Sequence, residues 1–204
     1  MNLDKLPING FDFVLILALA AGIAKGRKRG MSEELLSLLT WLAILFGCAF
    51  TYQQGERLVA YVSPVLDLLS RYLLAYVGGA LLVMLVFAGI KRGLGGKLVG
   101  SDIFGRSEYY LGMGAGLVRY CCVMLTGLAL LNARYFNPME VRAMEKRDID
   151  IYGSSFFPGL HSLQSTVFDK SLTGPWIKQK LGILLIKPTA PDKRDTRRKD
   201  FVIP

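Results

Sequence analysis

The stretch Leu73-Leu74-Ala75-Tyr76-Val77-Gly78-Gly79-Ala80-Leu81-Leu82-Val83-Met84 decides the fold class. It carries no polar stripe at helical spacing. A helix on the surface of a soluble domain shows such a stripe, whereas one apolar on all sides is buried in a large core or in a membrane. The surrounding window runs from Tyr72 to Ile90 without a charge. A spanning helix needs roughly 17–25 mostly apolar residues, so this window is long enough.

Three further windows lie on either side of it. One runs from about Ile8 to Ala24, with Asp12 as its only ionisable residue. Another, Leu35 to Tyr52, has no charge, and the last, Tyr110 to Leu131, contains only Arg119. The expectation is an all-α, polytopic membrane protein with four transmembrane helices and an amphipathic helical C-terminal tail. Residues 1–131 form the membrane region, 132–187 the membrane-associated tail, and 188–204 a disordered basic end.

The totals agree with this layout. The chain has 204 residues, of which 52% are hydrophobic, and 25 Lys plus Arg against 16 Asp plus Glu give a net charge of +9. Disordered chains are poor in apolar residues, which excludes that class. Cys48, Cys121 and Cys122 all sit in apolar runs, so a disulfide scaffold is excluded. One His and no CxxC argue against a zinc site.

The first window is read as a retained helix. Asp4 and Lys5 precede it, and the positive cluster Lys25, Arg27, Lys28 and Arg29 follows it. A signal peptide has the opposite polarity. Orientation follows from the same charges. Lys91, Arg92, Lys97 and Arg106 fill the 91–109 loop, whereas 53–71 holds only Arg57 and Arg71. Basic loops stay in the cytoplasm, so both termini are expected outside.

The tail has 13 basic and 8 acidic residues from Asn132 onward. Residues 134–150 are charge-rich and read as helical. Leu160, Leu163, Val167 and Phe168 repeat on one helical face, as do Ile177, Leu181, Leu184 and Leu185. With Trp176, Lys178, Lys180 and Lys187 nearby, these pieces suit the headgroup layer. They suit equally well packing onto loops of the same chain.

Few residues invite chemistry. His161 is the only His, no GxSxG occurs, and Gly93, Gly95, Gly96 and Gly100 do not form a phosphate-binding GxxxxGK[ST]. The expectation is no enzyme, no cofactor and no metal. The basic residues Lys25, Arg27, Lys28 and Arg29 serve either to hold their loop in the cytoplasm or to bind anionic lipid. They lack interleaved aromatics, so nucleic acid is not an expected partner. Ser32 reads as the cap of the second helix, with Glu33 and Glu34 at its positive end. Gly22, Gly26 and Gly30 fall four apart, as do Gly112 and Gly116, a spacing that lets helix backbones approach closely in lipid.

Charges inside a spanning helix are costly and are usually paired. Counted from Lys25, Asp12 lies about 20 Å deep; counted from Glu108, Arg119 lies about 17 Å deep. The similar depths point to an Asp12–Arg119 intramembrane pair or a shared polar cavity. The alternative places Asp12 at the outer surface and lets Arg119 reach toward water.

Several of these residues together resemble the colicin V production protein (CvpA) family. The resemblance begins at Asp12 between Phe11 and Phe13, continues through Arg29-Gly30 and Glu34, then Leu36-Ser37-Leu38 and Thr40-Trp41. It resumes at Gly112-Met113-Gly114-Ala115-Gly116-Leu117-Val118-Arg119. Glu108-Tyr109 stand where the family usually has Asp-Arg, and Tyr120 replaces a usual Gly. The resemblance covers about residues 8–131. It implies a bacterial inner-membrane protein with four spanning helices and a link to colicin V production or export. Some relatives fuse a similar membrane region to a periplasmic serine protease, which agrees with an external C-terminus. The partners expected are the lipid bilayer, further copies of the chain and a periplasmic protein. The function expected is non-enzymatic toxin production or export, or envelope upkeep. A homo-oligomeric solute channel and a scaffold recruiting through the tail are the alternatives.

Overall fold

A computed structural model describes residues 9–98, 105–137, 141–142 and 159–189. Lys5, most of the charge-rich 134–150 segment, and the basic end from residue 190 lie outside the described residues. The chain forms α1 (Gly10–Val62), α2 (Leu68–Leu98), α3 (Glu108–Asn132), α4 (Leu160–Phe168) and α5 (Gly174–Lys180), with 3-10 turns at Gly105–Ser107 and Gly182–Leu184. Among the described residues the only β pairing is a single bridge between Arg134 and Thr189.

Among the described residues three helices are long and apolar enough to cross a membrane, Gly10–Val62, Leu68–Gly93 and Glu108–Asn132, and the first of them is broken into two limbs at Gly30. The loop expected at 25–34 is absent. Ala24, Lys25, Arg27, Lys28 and Arg29 are good helix formers, so the first helix runs on through the basic residues and across Gly26. Only Gly30 leaves helical geometry, at φ 73° and ψ 172°. That region is open almost solely to glycine. Ser32 lies buried just beyond the break. The helix is capped at Asn9, whose side chain accepts from the Gly10 amide, while Asp12 Oδ2 accepts from the Asn9 amide at 3.1 Å.

Gly30 turns the chain back on itself. The first limb, 10–29, runs antiparallel to α3, because Gly22 meets Gly116 and Gly26 meets Gly112. The second limb, 31–62, runs antiparallel to α2. Cys48 lies against Gly79, Gly55 against Ala75, and Arg71 bonds Glu56 at 2.9 Å. The start of α1, the end of its second limb and the end of α3 therefore share one end of the bundle.

The C-terminal segment closes that end. Asn132 Nδ2 donates to the Ile186 carbonyl at 2.9 Å, and Gln164 Nε2 donates to Leu131 and Arg134 carbonyls. Val167, Phe168, Ile177, Leu184, Leu185 and Ile186 join the same core as Ile44, Cys48, Tyr52, Leu125 and Ala129. Residues 159–189 thus pack on their own chain, while Leu160, Leu163, Leu172, Trp176 and Ile183 stay exposed. The most apolar window of α2 is only 6% buried. An apolar face of that extent is not tolerated in water and fits a lipid surround.

Candidate functional site

The densest set of buried charges sits beside the break. Glu34 opens the second limb, one turn after Gly30, near the positive end of its peptide dipoles. It is fully buried. Arg119, on the α3 face turned toward the hairpin, closes on it. Its Nη2 stands 2.9 Å from Glu34 Oε1, and its Nη1 donates to Oε2 at 3.1 Å. Arg29 adds a longer contact, 3.5 Å from Nη1 to Oε2, with its side chain half exposed. The Arg119 guanidinium also stacks 5.0 Å from the Tyr120 ring centroid, and Lys25 lies 5.7 Å from the same ring. A buried carboxylate is tolerated only when paired and hydrogen-bonded. Here one arginine hydrogen-bonds Oε2 and makes an ion-pair contact with Oε1.

Glycines make this approach possible. A methyl group on Gly112 would stand 2.5 Å from the Gly26 carbonyl oxygen, and one on Gly22 would stand 2.8 Å from that of Gly116. Methyl groups on Gly26 and Gly116 would press on the Gly112 and Gly22 carbonyl oxygens. The first limb and α3 touch backbone to backbone, which is how small residues associate helices in lipid. This contact lies within one chain, not between protomers. Bringing α3 this close to the hairpin sets Arg119 within reach of Glu34.

The expected Asp12–Arg119 pair does not form. Asp12 is buried at the opposite end, where it accepts from Thr173 Oγ1 at 2.6 Å, the Leu172 amide at 3.1 Å and the Thr173 amide at 3.2 Å. The depth estimate failed because Lys25 is not the end of the first limb. Counted from the real turn at Gly30, Asp12 lies about 27 Å along the helix. Arg119 is only seven residues past Gly112, which packs against Gly30. Asp12 lies at the end of the bundle away from the Gly30 turn, covered by the C-terminal segment and not open to water, and Arg119 is buried as well.

The other motif positions are placed as follows. Trp41 is half-buried against the core. Lys25, Arg27, Lys28 and Arg29 are exposed along one end of the first limb. Sequence reasoning singled out Glu34 for the helix dipole and the family resemblance but missed it as the partner of Arg119. Its charge beside an otherwise apolar window was the available signal. It also missed Thr173, which no local pattern distinguishes. Among the described residues, no group of three or more His, Cys, Asp or Glu converges as a metal site would require.

A family model described as colicin V production protein matches residues 11–163. No curated protein and no solved structure matches the chain.

Proposed function

The chain belongs to the colicin V production protein family, and from that premise we propose a non-enzymatic, multi-pass inner-membrane protein serving toxin production or export, or envelope upkeep. One observation carries the reading. Arg29, Gly30 and Glu34 in α1, and Gly112, Gly116 and Arg119 in α3, converge on a sealed ion pair and a close helix contact. The pair spends its charges on joining the hairpin to α3. Such an arrangement supports a membrane-embedded structural component more than a reaction centre.

The two limbs of α1, with α2 and α3, make four spans. The exposed cations Lys25, Arg27, Lys28 and Arg29 mark the turn end as cytoplasmic under the positive-inside rule. The start of α1 and the C-terminal segment then face outward together. The channel reading required Asp12 and Arg119 to line one water path. With Arg119 closed on Glu34 and Asp12 on Thr173, no observation favours it.

The test has two arms. Deleting the gene in its host, with colicin V genes supplied, should lower secreted toxin or raise detergent sensitivity, and the intact gene should restore both. Unchanged toxin and unchanged sensitivity would sink the proposal. In whole cells, after replacement of Cys48, Cys121 and Cys122, an impermeant thiol reagent should label Lys180→Cys and spare Lys28→Cys. The reverse labelling would invert the orientation.

A further inference from the structure

Beside the end of α3 lies a cleft of about 600 Å³ that the proposed function does not use. Its rim carries Arg134, Arg142, Lys170 and Lys178, against the single carboxylate of Asp169. Among the described residues, none of these four cations makes an ion pair, whereas Arg29, Arg71 and Arg119 all do. Arg134 Nε is buried without a hydrogen-bond partner. Among the described residues four cations face one carboxylate here, and like charges in excess repel, so an anion between them would relieve the field.

The walls are partly aromatic and held in place. The Arg134 guanidinium lies 4.8 Å from the Phe136 ring centroid, and Lys178 Nζ lies 5.8 Å from that of Phe168. The backbone of 133–135 is pinned to Thr189 by two hydrogen bonds, at 2.9 and 3.1 Å. Gln164 ties α4 to the Arg134 carbonyl at 3.0 Å. Such pinned donors meet a ligand with little ordering cost.

We propose that this cleft binds a phosphate ester, and that its source is the headgroup of an anionic phospholipid. Arginine and lysine match phosphate by charge and by donor geometry. The level is right for a headgroup, because Asn132, the last residue of a spanning-length helix, lines the cleft. The exposed Trp176, Leu172 and Ile183 of the same segment suit the boundary between acyl chains and water. The site is distinct from the Lys25–Arg29 cluster at the opposite end, and it does not depend on the toxin reading.

The experiment uses the full chain in phosphatidylcholine nanodiscs doped with spin-labelled phosphatidylglycerol or spin-labelled phosphatidylcholine. The wild type should immobilise the anionic lipid in preference to the neutral one. Lys170→Gln combined with Lys178→Gln changes two exposed residues and should lower that preference about thirtyfold. Arg134→Gln gives a second variant through a different element. Lys25→Gln with Lys28→Gln, exposed cations outside the cleft, should lower the preference less than the paired cleft variant does. A second arm measures thermal protection of the detergent-solubilised protein by glycerol phosphate. Protection without lipid preference keeps the phosphate site but assigns it to a free ester. No effect of either cleft variant, or an equal loss in the Lys25/Lys28 control, would overturn the proposal.

Discussion

Glu34 and Arg119, 85 residues apart, are sealed against each other with 2.9 Å between Oε1 and Nη2, and the carboxylate has no contact with solvent. Removing one partner strands the other charge. Arg119→Met should therefore destabilise the protein by about 3–5 kcal/mol. Adding Glu34→Leu should recover most of that loss, since an apolar pair of similar volume removes the stranded charge. Unfolding of the purified variants in mixed detergent reads both values. A double variant no better than the single one would show that the charges act independently.

The glycine contact predicts a graded series. Gly26→Ala and Gly116→Ala each press a methyl group on a facing carbonyl and should cost about 1–3 kcal/mol. Gly114 lies on the same helix but has open space around it, so Gly114→Ala should be neutral or slightly stabilising. Melting temperatures of the three variants side by side decide the matter.

Gly30 sets a different demand. Its φ of 73° with ψ of 172° is foreign to all L residues, including asparagine, which tolerates the left-handed helical region only. Gly30→Ala and Gly30→Asn should both lose about 1–3 kcal/mol. A tolerated Asn would mean that ψ at this residue is not as described.

Asp12 holds the C-terminal segment through Thr173 and Leu172. Asp12→Ala should free that segment and cost about 1.5–3 kcal/mol for the hydrogen bonds to a charged group. Limited proteolysis should then cut within 159–189 faster than in the wild type, while the 31–62 limb stays protected. Equal cutting rates would show that the core contacts of Phe168 and Ile186 hold the segment unaided.

Much of the architecture was legible in the sequence, and the rest was hidden for physical reasons. The four apolar windows and the small-residue spacing pointed to helices that pack closely in a membrane, because hydropathy and glycine spacing are local signals. The turn was harder to locate. The cluster Lys25 to Arg29 reads as a loop by charge, yet its four basic residues are good helix formers, and the reversal falls at Gly30 alone. Arg119 stood out as a buried charge, but its partner depended on where that reversal falls. A five-residue error in the turn displaced Asp12 toward Arg119. Thr173 was beyond reach altogether, since a hydroxyl 161 residues away in sequence leaves no periodic trace.

The latch between Asp12 and Thr173 also bears on how the chain is made. During synthesis, the start of α1 is in place long before Leu172 and Thr173 exist. Until they emerge, the Asp12 carboxylate has the Asn9 amide and water, but none of its long-range partners. A contact spanning 160 residues is late by construction. Completion of the bundle is thus tied to completion of the polypeptide through residue 173, and a chain stopped short of it carries its defect at the opposite terminus.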